Sequence, residues 1–380
     1  MQAKPSMNSA EKTAAHPSGV IPQFRSFVDK TDYANLSGVF ENHHIAEGPY
    51  ALQFEMRLLD LIGARYGAFA TSGTTGLYLA LRALGIGPAD EVIVQNVTFI
   101  ASANAVEMTG ARPVFADVLS YKDLTIDLNK VRPSKKTKAL VLAHLYGTAN
   151  SNTEEVAEFC RKHGIYLVED AAQALGVSSK MRHLGTFGRA GVFSFYADKT
   201  ITTGEGGFVV TGDPRLFERM QYLRNQGRKK SGTFIHPEIG YNFRITDIQA
   251  ALGLSQLDKL PTIIREKRMI YDAYRRWLKD SVEFLEPRTD YAYIPFRVVI
   301  FVRDAEKTMA YMARKGIEPR SLFYPLHRQP CYRHLGCRDG DFENSNLAYH
   351  RGICLPTWIG LAEEQIRFVS QAVMEAEKLA

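Results

Sequence analysis

The sequence predicts an α/β protein in which a mostly parallel mixed sheet lies between layers of helices, with a smaller C-terminal α+β domain. Short apolar segments alternate with amphipathic helical segments from about residue 65 to 255, a pattern typical of a sheet covered on both faces. Long helical segments replace it after about residue 246, and the 380 residues of the chain exceed the usual size of one core. We therefore expect a flexible tail over 1–20, a large domain over 21–258 and a small domain over 259–380.

The predicted strands of the large domain are short and apolar. They are Phe69–Thr71, Glu91–Val94, Arg112–Ala116, Ala139–His144 and Ile165–Glu169, with Gly191–Tyr196 and Phe208–Thr211 as a strand pair. The helices between them are predicted through Leu77–Leu81, over Phe99–Met108, over Thr153–His163 and from Asp213-Pro214, a favourable helix start. Ligands of such sheets bind beyond the carboxyl ends of the strands.

The C-terminal part of the chain is predicted to begin with two helical segments. Thr246–Leu257 and Thr262–Leu278 are separated by a break near Pro261, because proline lacks the N–H that a helix interior needs. A strand over Ile294–Val302, a helix over Glu306–Lys315 and a last helix over Glu363–Ala380 follow.

Composition and charge exclude several classes of protein. The net charge of +6 is spread along the chain, with its densest cluster at Arg224–Lys230, so we expect a solvated surface or attraction of an anionic small molecule, not nucleic acid. No run of about 18 apolar residues predicts a membrane span, and the N-terminal residues lack the apolar core of a secretory signal. The four cysteines show no CxxC pair, which predicts reduced thiols in a cytoplasm and no metal site.

A carboxylate and a lysine follow two of the predicted strands. Asp170 comes at the end of one, and Lys199 lies just past another, before the turn Gly204–Gly207. Pyridoxal phosphate (PLP) needs these groups at opposite ends of its ring, since an amine bonds to its aldehyde carbon and a carboxylate keeps its ring nitrogen protonated. Taken singly, Asp170 is equally a helix cap or a surface acid, and Lys199 a solvated lysine. Together they predict an aminotransferase or a close relative.

The segment Ser72–Thr74 opens a helix directly after a strand. A helix N-terminus presents unpaired N–H groups, and glycine lets a phosphate approach them, although a capped helix after a tight turn is the plain alternative. Ser194 alternates with Phe193 and Phe195 and so points away from them, where it could reach a phosphate. Phe99 is either a core residue or a flat apolar partner for the cofactor ring.

Six motifs resemble those of one family. They are Ser-Gly-Thr at 72–74, Thr-Phe-Ile-Ala-Ser at 98–102, His-Leu-Tyr-Gly at 144–147, Glu-Asp-Ala-Ala-Gln-Ala at 169–174, Ser-Phe-Tyr-Ala-Asp-Lys at 194–199 with Gly-Glu-Gly-Gly after it, and Gly-Tyr-Asn-Phe-Arg at 240–244. From about Ile21 to its C-terminus, the chain resembles the DegT/DnrJ/EryC1/StrS family of PLP-dependent nucleotide-sugar aminotransferases. This resemblance implies the fold type I architecture of the aspartate aminotransferase superfamily.

The resemblance also implies roles for individual residues. Lys199 would bond covalently to PLP and later act as general base and acid, and Asp170 would pair with the ring nitrogen. Ser72 is counted among the cofactor contacts, and the remaining contacts implied are Gly73, Thr74 and Ser194 at the phosphate, Phe99 stacked on the ring and Gln173 at the ring hydroxyl. Asn242 would reach the phosphate of a partner chain, which implies a homodimer with shared active sites.

The segment Arg320–His327 most resembles the perosamine-synthase group of the family, which acts on 4-keto sugars. The likeness implies that Arg320, Tyr324 and His327 lie near the sugar, although His327 is equally well read as a structural histidine. Three positions depart from the common pattern: Gln95-Asn96, Thr75 and Met181. Met181 lies in a loop that could face the substrate.

These likenesses lead us to expect transfer of the amino group of L-glutamate to a nucleotide-linked 4-keto-6-deoxy sugar. The product would be a 4-amino sugar for polysaccharide, O-antigen (lipopolysaccharide) or glycan biosynthesis in the cytoplasm. A 3-keto nucleotide-sugar aminotransferase and a non-catalytic PLP-binding regulator are the alternatives. A dehydratase is disfavoured, because dehydratases of this family carry histidine where Lys199 stands. The nucleotide and the sugar stay open.

Overall fold

The computed structural model describes residues 19–228, 234–287 and 291–379, so the predicted tail lies almost entirely outside the described residues. The strands are β1 (Tyr66–Ala70), β2 (Glu91–Gln95), β3 (Arg112–Ala116), β4 (Thr137–Ala143), β5 (Tyr166–Asp170), β6 (Ser178–Ser179), β7 (Arg182–His183), β8 (Ala190–Ser194), β9 (Gly207–Thr211), β10 (Glu283–Phe284), β11 (Tyr291–Ala292), β12 (Val298–Phe301), β13 (Arg320–Ser321) and β14 (Gly352–Leu355). The helices are α1 (Lys30–Glu41), α2 (Pro49–Ile62), α3 (Gly73–Ala83), α4 (Ala101–Met108), α5 (Thr153–His163), α6 (Pro214–Arg224), α7 (Asp247–Leu278), α8 (Ala305–Arg314), α9 (Glu343–Arg351) and α10 (Glu363–Leu379).

The main sheet has seven strands in the order β1-β9-β8-β5-β4-β2-β3. From β8 to β3 neighbouring strands are parallel, whereas β9 runs antiparallel to both β8 and β1. The predicted α/β fold with a mostly parallel mixed sheet is therefore confirmed. Asp170 of β5 pairs with Val192 of β8, so these two strands end at the same edge of the sheet.

Helices cover both faces of this sheet, because side chains alternate along each strand. On β8, Val192 belongs to the core that α3, α4 and α6 cover, whereas its neighbour Phe193 belongs to the core beneath α2 and α7. Burial on both faces explains why the strands are apolar throughout and not alternating.

The C-terminal part of the chain forms a second, antiparallel sheet in the order β10-β12-β14-β13. Its core includes Val298, Ile300 and Trp358, and α8, α10 and the second half of α7 pack around it. The predicted boundary at residue 258 falls inside α7, which runs on without interruption. The division into two domains remains a prediction.

The predicted break near Pro261 is wrong, since α7 continues through this residue. Proline in a helix interior costs about 3 kcal/mol, because one hydrogen bond is lost and the ring crowds the preceding turn. On either side of Pro261, however, Leu257, Leu260 and Ile263 are buried in the core shared with the main sheet. Burial of this apolar face supplies most of the stability of such a helix and outweighs the local defect.

The predicted strand over Ile294–Val302 is also shorter than expected, because only Val298–Phe301 pairs in the second sheet. The preceding residues bond to the loop after β4 instead. The N–H of Ile294 donates to the Gly147 carbonyl at 3.0 Å, and the N–H of Phe296 donates to the Tyr146 carbonyl at 3.1 Å. An apolar run in the sequence does not show which backbone it will pair with.

Two further features bear on the predicted exclusions. Within the described ranges, no helix combines the length and the apolar character that crossing a membrane would need. No group of three or more His, Cys, Asp or Glu side chains in the same ranges is arranged to hold a metal ion. Cys160 and Cys354 are buried and Cys331 and Cys337 are exposed, all as free thiols.

Candidate active site

Lys199 lies in the loop that joins β8 to β9, at the carboxyl edge of the main sheet. The loop turns sharply at this point, where the N–H of Lys199 donates to the Tyr196 carbonyl at 2.9 Å. The amine lies 4.9 Å from the centroid of the Phe296 ring. Burial lowers the pKa of the Lys199 amine. A desolvated lysine with a lowered pKa is a better nucleophile toward an aldehyde.

Asp170 is the last residue of β5, and its carboxylate is 7% exposed. Its Oδ2 accepts a hydrogen bond from the Ser102 hydroxyl at 2.6 Å, and its Oδ1 accepts one from the Ala172 N–H at 3.2 Å. Buried carboxylates are stable only with such partners. The two donors fix the orientation of an acid that faces the same edge of the sheet as the Lys199 loop.

The start of α3 forms a phosphate cradle, which we define as Ser72–Thr75 together with Ser194. The Ser72 hydroxyl accepts a hydrogen bond from the Thr75 N–H at 3.2 Å, and the Thr75 hydroxyl accepts one from the Ser72 N–H at 2.9 Å. The N–H groups of Gly73 and Thr74 have no intrahelical partner, as in the first turn of any helix. A Cβ added at Gly73 would lie 2.9 Å from the Ser194 Cβ, so only glycine allows this approach.

Aromatic side chains stand beside this cradle and the acid. Phe99 is 55% exposed, and its ring centroid lies 5.9 Å from that of Phe323, which stacks on Tyr146. The amide oxygen of Gln173 accepts a hydrogen bond from the Tyr146 N–H at 2.7 Å, so only the amide nitrogen of Gln173 remains to donate to a ring hydroxyl. The exposed face of Phe99 has the shape that a flat cofactor requires.

These residues fit PLP in kind. The chain offers a buried amine, a buried and oriented carboxylate, free N–H groups at a helix start and an exposed aromatic face. The comparison with known proteins decides the matter, because the model of the DegT/DnrJ/EryC1/StrS aminotransferase family matches residues 27–374. The chain belongs to this family.

Its relatives and structural neighbours agree. The chain is 33% identical to the GDP-perosamine synthase of Vibrio cholerae, over 93% of this chain and 98% of that protein. It is 36% identical to the GDP-perosamine synthase of Escherichia coli O157:H7, over 87% and 91%. The PMP-form of the putative sugar aminotransferase Spr1654 from Streptococcus pneumoniae superposes with a TM-score of 0.88 at 25% identity, covering 95% of this chain and 98% of that one. An aminotransferase with PLP as its cofactor is thereby confirmed.

Of the three residues expected near the sugar, Arg320 is the one that the structure brings to Lys199. Its Nη1 lies 3.7 Å from Oδ2 of Asp198, which precedes Lys199 in the chain. Arg320 is about half exposed at its side chain, and Tyr324 is 39% exposed and packs edge-on against Tyr349. Both side chains are therefore accessible to a ligand, and their role in this aminotransferase stays a prediction.

His327 is buried, and each of its ring nitrogens has a partner. Nδ1 lies 2.9 Å from the amide nitrogen of Asn96, and Nε2 lies 3.0 Å from Oδ1 of Asp339. The ring stacks on Phe342 at 4.2 Å, and burial lowers the pKa of His327. These contacts favour the structural alternative and explain Asn96, one of the departures from the family pattern. Contact with a sugar stays a prediction.

Asn242 is the one predicted cofactor residue whose described contacts lead away from the lysine loop. It forms an isolated bridge with Asn225, and its side-chain oxygen accepts a hydrogen bond from Nε of Arg244 at 3.1 Å. Both Asn242 and Arg244 are exposed. Met181, another departure from the pattern, is 99% exposed in the turn between β6 and β7.

Sequence reasoning missed the roles of two residues inside the family motifs. Ser102 closes the motif at 98–102, but its bond to Asp170 joins positions 68 residues apart. Asp198 bonds to Arg297 across 99 residues. Spacing along the chain cannot reveal either pair, although a polar side chain on the apolar first turn of α4 was a signal for Ser102.

We expect Asp170→Asn to keep the cofactor and to lose activity by about 100-fold or more, which is about 2.7 kcal/mol of barrier. The neutral amide accepts the Ser102 and Ala172 hydrogen bonds but offers the ring nitrogen no charge-assisted bond. The measurement is kcat for glutamate-dependent amination, with bound cofactor quantified by absorbance. Ser102→Ala is the companion variant and should lose less, because Ala172 still holds one oxygen. An Asp170→Asn enzyme within about threefold of wild type would show that Asp170 does not partner the ring nitrogen.

Proposed function

We propose that the protein transfers the amino group of L-glutamate to a nucleotide-linked 4-keto-6-deoxy sugar and produces a 4-amino sugar. The observation that carries the transfer is the placement of Asp170 and the Lys199 loop at the ends of two paired strands, β5 and β8. The choice of sugar is supported by the two GDP-perosamine synthases that the chain resembles. Polysaccharide, O-antigen or glycan biosynthesis would use such a product.

In this proposal each residue of the site has one task. Bound PLP supplies an aldehyde and a ring that withdraws electrons. Lys199 holds the aldehyde carbon and, once released, moves a proton at its Nζ as general base and acid. Asp170, oriented by Ser102, accepts a hydrogen bond from the ring nitrogen. The N–H groups of Gly73 and Thr74 and the hydroxyl of Ser194 bind the phosphate.

The remaining cofactor contacts follow the same plan. Phe99 covers the ring, Gln173 donates to the ring hydroxyl, and Ser72 caps α3 and thereby keeps its first N–H groups free. Arg320 and Tyr324 line the way in to Lys199, and a guanidinium suits an anionic substrate. The net charge of +6 favours the approach of a diphosphate at low ionic strength.

We further propose a cytoplasmic homodimer in which Asn242 completes the site of the partner. Exposure of Asn242 and the direction of its contacts support this. So do α1 and α2, where Tyr33, Phe40, Leu52 and Met56 are each more than half exposed, since large exposed apolar side chains in number suggest an interface. The free thiols support a reducing compartment.

A 3-keto nucleotide sugar is the alternative substrate, and a non-catalytic PLP-binding regulator is the alternative from another class. A regulator would bind PLP without a glutamate-dependent change of its spectrum. The complete lysine and aspartate pair favours the enzyme.

The substrate prediction is tested by the ratio of kcat/KM for 4-keto over 3-keto nucleotide sugars with glutamate as donor. We expect at least about tenfold preference for the 4-keto sugars, because a site that binds particular hydroxyls discriminates strongly. The measurement is mass-spectrometric detection of the amino sugar. A ratio below one would assign the protein to the 3-amino branch and leave the cofactor untouched.

The homodimer prediction is tested by mixing two poorly active variants, Lys199→Ala and Asn242→Ala. If Asn242 acts in the partner's site, a mixed dimer holds both defects in one site and leaves the other intact. Activity should therefore appear on mixing, once subunit exchange is confirmed by mass. If exchange occurs and activity does not appear, Asn242 acts within its own chain.

A further inference from the structure

Asp198, directly before Lys199, has one carboxylate oxygen anchored and one without a hydrogen-bond partner. Oδ2 accepts a hydrogen bond from Nη2 of Arg297 at 2.6 Å and lies 3.7 Å from Nη1 of Arg320. Oδ1 is buried and has no hydrogen-bond partner within residues 19–228, 234–287 and 291–379. A buried acceptor without a donor is uncommon in folded proteins and calls for an explanation.

The free oxygen faces the amine of Lys199. Oδ1 of Asp198 lies 3.9 Å from Nζ of Lys199, which is longer than a hydrogen bond but within the reach of a small side-chain rotation. The same Nζ lies 4.9 Å from the centroid of the Phe296 ring, a distance at which an aromatic face attracts a cation. A carboxylate oxygen and a ring face are both neighbours that favour a charged amine.

The other carboxylate of the site is committed elsewhere. Asp170 accepts hydrogen bonds from Ser102 at Oδ2 and from Ala172 at Oδ1. Asp198, by contrast, is held through one oxygen by an arginine that is itself 2% exposed at its side chain. This anchor fixes the position of the other oxygen beside Lys199.

We propose that Asp198 is a positioning residue for Lys199: held by Arg297, its free oxygen accepts a hydrogen bond from the Lys199 amine whenever that amine is released as an ammonium ion. The inference rests on the proposed function, because only an aminotransferase cycle frees and recaptures this lysine. Asp198 would keep the released amine beside the reacting carbon and keep it from swinging away.

Four charged groups besides Asp198 act on this amine or stand near it. Asp170 raises the pKa of Lys199, whereas Arg297 and Arg320 lower it. The amine of Lys267 lies 5.7 Å from the same Phe296 ring, and burial followed by repulsion from Arg297 lowers its pKa to about 7. The surroundings are therefore rich in cations, and Asp198 is the carboxylate that offsets them next to Lys199.

The test is the pH dependence of Lys199 acetylation by acetic anhydride in the full-length chain freed of cofactor, measured by peptide mass spectrometry. Only the neutral amine reacts, and exposed Lys138 serves as internal reference. An adjacent opposite charge favours the charged form of a group, so removing it should lower the midpoint for Lys199 by about one pH unit in Asp198→Asn. Below the midpoint, this shift is about a tenfold faster reaction relative to Lys138.

Two variants separate charge from structure. Asp198→Glu keeps the carboxylate and should retain at least half of the wild-type midpoint. Asp258→Asn removes a carboxylate that pairs with Arg57 on the surface, and its midpoint should equal that of the wild type. Should Asp198→Asn not fold, Asp198→Ser takes its place with the same expected shift.

A midpoint in folded Asp198→Asn within about 0.3 unit of the wild type would overturn the inference, as would a shift in Asp198→Glu as large as that in the asparagine variant. Failure of the proposed function has a different signature. A wild-type protein that develops no visible absorbance of lysine-bound cofactor when PLP is added would contradict the function, whatever the acetylation midpoints show.

Discussion

The site depends on the pairing of β5 with the strands on either side of it. Asp170, the last residue of β5, pairs with Ala143 of β4 and with Val192 of β8. Its main-chain carbonyl accepts a hydrogen bond from the His144 N–H at 3.0 Å. The backbone of the acid is thus fixed by two neighbours before its side chain makes any contact. Because β8 is parallel to β5 and in register with it, the loop that carries Lys199 begins at the same edge.

Glycine allows the phosphate cradle to close on this edge. A Cβ at Gly207, the first residue of β9, would lie 2.2 Å from the Ser72 carbonyl oxygen, so β9 can approach the start of α3 only without a side chain there. Gly73 meets Ser194 in the same way. These two approaches bring the ends of β1, β8 and β9 together beneath one helix N-terminus, whose unpaired N–H groups and dipole favour an anion.

The fold and the central pair of residues could be predicted because their signals are local. Apolar runs followed by glycine-rich or capped turns mark the strands, and Asp170 and Lys199 come directly after two of them. Pro261 and Ile294–Val302 were misread for the opposite reason. Long-range packing keeps α7 continuous through Pro261, and the loop after β4 takes the backbone bonds of Ile294 that a strand partner would have used.

The side chains that orient the central pair were equally out of reach. Ser102 and Arg297 act on residues 68 and 99 positions away, and only the folded chain shows those distances. The structural setting of His327 is of the same kind, since Asn96 and Asp339 approach it from different elements.

The central claim is that Lys199 carries the cofactor at this edge of the sheet. The most direct measurement is reduction of the PLP-loaded protein with borohydride, followed by proteolysis and mass mapping of the modified peptide. The account predicts one modified lysine, Lys199, in the peptide that follows β8. Modification at another lysine, such as the nearby buried Lys267, would contradict it.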